Sequence, residues 1–183
     1  MARLFLSHSS KDNASAIAFK QWLGASGWGG EDVFLDISGI GAGERWKEAL
    51  RKANTRCEAV VLLASPEALD SSECRVEIRM AEHYGKPILV ALLRDLEISD
   101  PRLDPFRDTQ IVDLAAPPGN HSEIVEYRGQ RYEVRFNAET LIRIKTRLVD
   151  LGIAPESFRW PARGHPNASA ALTSIFPANV GHS

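Results

Sequence analysis

Short apolar runs alternate with longer amphipathic segments along the first two thirds of the chain. The apolar runs have the length of buried strands, whereas the segments between them repeat apolar residues at helical spacing. The predicted strands span residues 3–7, 32–36, 57–65, 86–93 and 109–114, and the predicted helices span residues 14–25, 44–56 and 71–85. The most continuous run, CEAVVLLAS, suits a strand that helices cover on both faces, so we place it at the centre of the sheet.

The order of these elements predicts the fold class. Strands that alternate with helices form an α/β fold with a mostly parallel, five-stranded sheet, right-handed crossovers and helices on both faces. Beyond the fifth strand, residues 122–136 alternate around an RGQ turn as a hairpin does, and residues 138–152 form an amphipathic closing helix. We expect one domain over residues 1–152 and a linker or C-terminal tail over residues 153–183, which is rich in Pro, Ala, Ser and Asn.

Two helix starts carry capping residues. Asp12 or Asn13 is placed to cap the first helix, and Ser71 or Ser72 is placed to cap the third. Such short polar side chains satisfy the unpaired N–H groups of a first helical turn. We expect each helix to begin at one of these residues.

The composition narrows the possible partners. The chain has 183 residues, a net charge of −2 and five scattered histidines. This charge disfavours nucleic acid and membrane surfaces as partners, and the histidines lack the paired spacing of a metal site. The opening MARLFLSHSS turns polar too early for a signal peptide or a membrane span, and Cys57 and Cys74 have neither metal nor redox spacing. We expect a cytoplasmic protein without a bound metal.

The residues just after each strand are candidates for a binding site, because ligands of such sheets lie beyond the carboxyl ends of the strands. Residues 65–77 follow the predicted central strand. In this segment, Glu73 and Glu77 lie one helical turn apart with Cys74 between them. Like charges at this spacing oppose each other, so one glutamate is expected to titrate upward if the crevice is dry. The alternative is that Glu77 is an exposed acid on a surface helix.

Other residues at this edge have two open interpretations. The glycine-rich segment 37–43 lacks the lysine of a nucleotide P-loop and is either a linker or a ligand contact. Asp36 either caps this loop or contacts a ligand or Arg45, and Trp46 is either a core residue or part of the crevice wall. His8 has the position of a general base, but no nucleophile with an orienting acid accompanies it.

Four blocks, in this order, resemble a TIR (Toll/interleukin-1 receptor) domain of the type common in bacterial defence proteins. They are RLFLSHSSKD, VFLDISGIGAGERWKEALRKA, VVLLASPEALDSSECRVEI and KPILVALL. The resemblance covers about residues 1–151. It implies a flavodoxin-like sheet, with the hairpin as an insertion that the family pattern does not explain.

The resemblance also implies a reaction. Many bacterial and plant members, and some animal members, cleave NAD+ at its nicotinamide glycosidic bond and release nicotinamide with ADP-ribose or a cyclic variant. By resemblance, Glu77 is the catalytic glutamate, NAD+ is a substrate and no cofactor is required. The residues implied in substrate binding are Phe5, Ser7, His8, Asp36, Gly43, Trp46 and Cys74. Many active members have an aromatic residue four positions before the glutamate. Glu73 stands there in this chain, so either another aromatic residue, Trp46 or Phe5, supplies the aromatic surface, or the enzyme forms an altered product or works slowly.

Two functions follow from the resemblance. In the first, the chain is an NAD+ glycohydrolase of bacterial immune signalling with a sensor module beyond its tail. Homotypic TIR–TIR assembly through the glycine loop, the family's BB loop, would activate it. In the second, the chain is a non-catalytic adaptor that only pairs with other TIR domains. Turnover of NAD+ separates the two, and a nucleotide-handling transferase on a similar sheet would cleave only when an acceptor base is supplied.

Overall fold

The computed structural model describes residues 2–37 and 44–155, except for the side chains of residues 44–47. Its main sheet has five parallel strands, which are β1 (Leu4–Ser7), β2 (Val33–Leu35), β3 (Ala59–Ala64), β4 (Ile88–Leu92) and β5 (Gln110–Asp113). Their spatial order is β2–β1–β3–β4–β5, so β3 is the central strand. This order confirms the predicted α/β fold and the predicted place of the longest apolar run.

Helices connect the strands in the described ranges. They are α1 (Asn13–Ala25), α2 (Glu44–Arg56), α3 (Pro66–Asp70), α4 (Ser72–His83) and α5 (Ala138–Asp150), with 3-10 turns at Ser10–Asp12, Gly30–Asp32 and Pro101–Phe106. The short helix α3 was not predicted as a separate element. It forms because the Ser65 hydroxyl accepts a hydrogen bond from the backbone N–H of Ala68, which caps a turn that begins at Pro66.

Two apolar cores cover the faces of the sheet. Successive side chains of a strand point to opposite faces, so β3 contributes to both cores. Val61 and Leu63 belong to the core beneath α1 and α5. Val60 and Leu62 belong to the core on the α2 and α4 side. Because β3 is buried on both faces, it reads in the sequence as a continuous apolar run.

The predicted hairpin is present as β6 (His121–Tyr127) and β7 (Gln130–Phe136), which pair in antiparallel register. It packs against α1, where the rings of Phe136 and Phe19 meet edge to face with centroids 6.3 Å apart. The hairpin is therefore part of the domain rather than a detached arm.

The packed chain continues past the predicted boundary at residue 152. Ile153 is buried, and its carbonyl accepts a hydrogen bond of 3.0 Å from the indole N–H of Trp28. Residues 153–155 therefore belong with the domain. The rest of the predicted linker, residues 156–183, lies outside the described residues.

The two predicted caps have different outcomes. Ser71 caps α4 as predicted, since its hydroxyl accepts a hydrogen bond from the backbone N–H of Cys74. Asp12 precedes α1, but its carboxylate makes no capping bond. It accepts instead from the Ser65 hydroxyl and from Arg94, so Asp12 has the predicted N-cap position without the predicted capping bond. In the ranges that the structure describes, no helix has both the length and the apolar character to cross a membrane.

Candidate active site

Ser7 and Glu77 meet at the carboxyl end of β1. The Ser7 hydroxyl donates a hydrogen bond of 2.6 Å to Oε2 of Glu77, although the two residues are 70 positions apart in the chain. Ser7 is the last residue of β1 and is only 1% exposed. The contact brings a carboxylate to the sheet edge where ligands of α/β folds bind.

The pattern of α4 explains why Glu77 reaches this position. Cys74, Ile78 and Ala81 form the buried stripe of the helix. These residues follow helical spacing, so the stripe faces the sheet. Glu77 directly precedes Ile78 and lies at the border of the stripe, where its side chain is partly buried. The border position turns its carboxylate toward the end of β1.

Burial raises the pKa of Glu77 from the ordinary value of 4.5 to about 7. Loss of solvation is the largest cause, because a poorly solvated carboxylate ionises less readily. The hydrogen bond from Ser7 opposes this change, while the negative charges of Asp36 and Glu73 add to it. The upward titration predicted for one of the two glutamates therefore falls on Glu77. Glu77 therefore titrates close to neutral pH rather than in the acidic range.

Cys74 is 3% exposed and interacts with the charge of Glu77. Burial raises the pKa of its thiol, and the neighbouring charge of Glu77 raises it further. A buried thiol with a raised pKa holds little thiolate, so Cys74 is not suited to nucleophilic attack. Cys74 belongs to the buried face of α4, and its part in substrate binding stays a prediction.

A groove of about 300 Å³ opens between α2 and α4 beside Glu77. Its lining residues are Leu50, Arg51, Asn54, Ser72, Glu73, Val76, Glu77 and Met80. The groove combines an apolar wall with carboxylate, guanidinium and amide groups. Such a combination is typical of small-molecule sites, in which apolar surface supplies affinity and a few polar groups fix orientation.

Asn54 joins the two helices that form the groove. Its Nδ2 donates a hydrogen bond of 3.0 Å to the backbone carbonyl of Glu77. The side chain is 1% exposed, and Oδ1 has no hydrogen-bond partner in the described structure. The bond ties the backbone of the glutamate to α2. Asn54 was not predicted as a site residue, although a polar side chain four residues after Leu50, on the apolar stripe of α2, is a signal of a buried polar contact.

A second polar cluster supports the same edge of the sheet. The buried carboxylate of Asp12 accepts a hydrogen bond of 2.5 Å from Ser65, which follows β3. It also accepts from Arg94, which follows β4, at 3.1 Å. Arg94 pairs with Glu67 at 3.0 Å as well. This cluster joins the segments that follow β1, β3 and β4 at the carboxyl edge of the sheet.

The remaining predicted site residues lie in different surroundings. Asp36 follows β2, is partly buried and acts on Glu77 through its charge. His8 follows Ser7 and is also partly buried. Phe5 is 1% exposed, and its ring stacks on Phe34 with centroids 5.2 Å apart. Phe5 is thus a core residue, and its ring has no open face for a ligand in this arrangement.

Gly43 and the side chain of Trp46 lie outside the described residues, as does most of the predicted BB loop. The predicted contact between Asp36 and Arg45 also falls outside, because the Arg45 side chain is among those not described. Over the described ranges, no three side chains of His, Cys, Asp or Glu are grouped so that they could hold a metal ion.

Comparison with known proteins identifies a family. The family model described as the TIR domain matches residues 4–126 of the chain, a segment that includes Ser7 and Glu77. Among solved structures, the TIR domain of the Toll-related receptor TRR-2 from Hydra magnipapillata is similar at 15% sequence identity and a TM-score of 0.48. That similarity covers 61% of this chain and 84% of the Hydra chain. No curated protein matches the chain.

Proposed function

Because the chain belongs to the TIR domain family, we propose that it is an NAD+ glycohydrolase with Glu77 as its catalytic carboxylate. The observation that carries this proposal is the position of Glu77. Its poorly solvated carboxylate is held by Ser7 at the carboxyl end of β1, and it borders the groove between α2 and α4. A carboxylate with a strongly shifted pKa beside a groove is a candidate for chemistry rather than for surface solvation.

The reaction suits one carboxylate. When the bond between nicotinamide and ribose breaks, its electron pair moves to the ring nitrogen and the cationic pyridinium becomes neutral nicotinamide. No general acid has to protonate this leaving group, in contrast to ordinary glycosidases, which use two carboxyl groups. Positive charge develops on the ribose instead. Water then adds to the sugar carbon and loses a proton, which gives ADP-ribose, or an internal nucleophile closes a cyclic product.

The surroundings of Glu77 suit this charge. An anion attracts an oxocarbenium-like sugar more strongly than the uncharged ribose of the ground state, and only such a difference lowers the barrier. Poor solvation strengthens the attraction, because little water screens the two charges. Bound NAD+ also carries a positive pyridinium, which favours ionisation of Glu77 and offsets the effect of burial on its pKa.

We further propose that assembly activates the enzyme and that the activity serves immune signalling. TIR domains engage in TIR–TIR interactions. By the family resemblance, segment 37–43 would be the BB loop, which would contact a neighbouring copy and gate the site. In this proposal, isolated chains have little activity and assembled chains are active.

A turnover assay tests the proposal. Concentrated or artificially assembled protein is given NAD+, and release of nicotinamide is followed for wild type, Glu77→Gln and Glu82→Gln. Glu82 lies on the exposed side of the same helix, so its variant controls for the change of charge. We expect wild type and Glu82→Gln to release nicotinamide, and Glu77→Gln to lose at least roughly 100-fold in rate, the scale of one electrostatic catalytic group.

Two results would contradict the assignment. Equal release by wild type and Glu77→Gln would show that this carboxylate is not catalytic. No release by any assembled form would instead favour the non-catalytic adaptor, which shares the fold and uses only its TIR–TIR contacts.

A further inference from the structure

A line of hydrogen bonds connects the hairpin to the residue that follows Ser7. Nδ2 of Asn13 donates to the hydroxyl of Tyr127 at 2.7 Å, and Nε2 of His8 lies 2.8 Å from Oδ1 of Asn13. Asn13 is only 6% exposed, and Tyr127 is the last residue of β6. The line therefore runs from the hairpin, through a buried amide, to the side chain of His8, which directly follows Ser7 in the chain.

The direction of these bonds determines where the proton of His8 lies. An amide oxygen only accepts, so Nε2 of His8 must donate when Oδ1 of Asn13 faces it. The other ring nitrogen, Nδ1, makes no hydrogen bond in the described structure. If the amide turned over, Nε2 would have to accept and Nδ1 would carry the proton. The orientation of Asn13 and the tautomer of His8 are therefore coupled.

We propose that Tyr127 is a positioning residue of the active site. Through Asn13 it holds the His8 ring at the end of β1 in the Nε2–H form, so that Nδ1 accepts a hydrogen bond from a sugar hydroxyl of the ligand. The identity of this ligand rests on the proposed function, whereas the connection from Tyr127 to His8 does not. The family match ends at residue 126, so the positioning hydroxyl comes from outside the matched segment.

The variant Tyr127→Phe tests the connection. It leaves Nδ2 of Asn13 buried without an acceptor, and a buried N–H tolerates this less well than a carbonyl does. The amide then gains by turning Nδ2 toward His8, which favours the Nδ1–H form. We expect the ratio of Nε2–H to Nδ1–H to fall roughly five-fold, the equilibrium effect of one neutral hydrogen bond.

The same hairpin offers a matched control. The hydroxyl of Tyr132 donates to the side chain of Gln130 and has no contact with Asn13. Nitrogen-15 NMR of the His8 ring is recorded for wild type, Tyr127→Phe and Tyr132→Phe, at a pH about two units above the ordinary histidine pKa of about 6.5. Wild type and Tyr132→Phe should show the Nε2–H form. An Nδ1–H form in wild type, or an unchanged ratio in Tyr127→Phe, would overturn the inference.

A second variant separates positioning from a general loss of structure. In Asn13→Asp, both side-chain oxygens accept, so His8 should keep the Nε2–H form whether or not position 127 carries a hydroxyl. The double variant Tyr127→Phe with Asn13→Asp is therefore expected to restore the wild-type tautomer. Failure to restore it would contradict the proposed route through Asn13.

Kinetics then test the role in the site. For an active protein, Tyr127→Phe should raise KM for NAD+ roughly five-fold while Tyr132→Phe leaves KM unchanged, since one neutral hydrogen bond is weakened. An altered tautomer with an unchanged KM would overturn the positioning role. If no form releases nicotinamide but the tautomers behave as expected, the proposed function fails and the connection from Tyr127 to His8 stands.

Discussion

Replacing Glu77 with glutamine is expected to stabilise the protein above neutral pH. Glutamine has nearly the same shape as glutamate, and its Oε1 can still accept the hydrogen bond from Ser7. The substitution therefore removes the charge and little else. Catalytic groups are commonly kept at the expense of stability, so a gain on their removal is a signature of a functional site.

The size of this gain in stability follows from the pKa of Glu77, which is about 7 in the folded protein against an ordinary value of 4.5. One unit of pKa corresponds to about 1.4 kcal/mol, so the ionised carboxylate costs the fold about 3 kcal/mol. The sign follows from proton binding. Between the two pKa values the folded state binds more protons than the unfolded state, so stability falls as the pH rises through this range. Above the folded pKa, the full stability of about 3 kcal/mol that the protonated carboxyl retains has been lost.

Urea unfolding across this pH range measures the effect. Below the unfolded pKa of Glu77, wild type and Glu77→Gln should be nearly equally stable. Above the folded pKa, the variant should be more stable by about 3 kcal/mol. The exposed substitution Glu82→Gln should change stability by no more than about 0.5 kcal/mol throughout. A difference between wild type and Glu77→Gln that does not depend on pH, or a variant that is less stable at high pH, would refute the reasoning.

Three further predictions concern the neighbours of Glu77. Ser7→Ala removes a hydrogen bond that favours the ionised carboxylate, so the midpoint of kcat/KM against pH should move up by about one unit. Arg94→Ala leaves the buried charge of Asp12 without its cationic partner and should lower the free energy of unfolding by about 3 kcal/mol, measured with urea. Asn54→Leu removes both an unpartnered buried oxygen and the bond to the Glu77 carbonyl. It should change stability by less than about 1 kcal/mol while lowering kcat/KM.

Each of these variants has a distinct contradicting outcome. The control for Ser7→Ala is Ser10→Ala, which lies at an exposed position and should leave the midpoint of kcat/KM against pH unchanged. A downward shift of this midpoint in Ser7→Ala would contradict the role of the Ser7 hydroxyl. Arg107→Ala removes an exposed ion pair and should cost no more than about 1 kcal/mol. If Arg94→Ala lowered the free energy of unfolding by no more than Arg107→Ala does, the importance of the Arg94–Asp12 pair would be contradicted. For Asn54→Leu, unchanged kcat/KM would contradict its role in holding Glu77.

Much of the fold was predictable because burial leaves a local pattern. The central strand is covered on both faces and is therefore continuously apolar, while the hairpin is half exposed and therefore alternates. Cys74, Ile78 and Ala81 form the buried stripe of α4, which limits the orientations that Glu77 can take. The upward titration of one glutamate was predicted from the like charges of Glu73 and Glu77 in a dry crevice, whereas burial is the largest cause of the raised pKa of Glu77.

The partners of polar side chains were less predictable, because they come from distant parts of the chain. Asp12 precedes a helix as a cap does, but its partners Ser65 and Arg94 lie 53 and 82 positions away. Asn13 binds Tyr127 across 114 positions. Local spacing carries no information on such contacts, which depend on how strands order in the sheet. The contact of Phe5 was unpredictable for the same reason, since its stacking on Phe34 depends on the pairing of β1 with β2.

The pH dependence of nicotinamide release tests the account most directly, because it links the position of Glu77 to its proposed chemistry. In assembled wild-type protein supplied with NAD+, kcat/KM should rise with pH as one group loses its proton, with a midpoint at about 7. A midpoint near the ordinary glutamate value of 4.5, or a rate that does not change with pH through this range, would contradict catalysis by a poorly solvated Glu77.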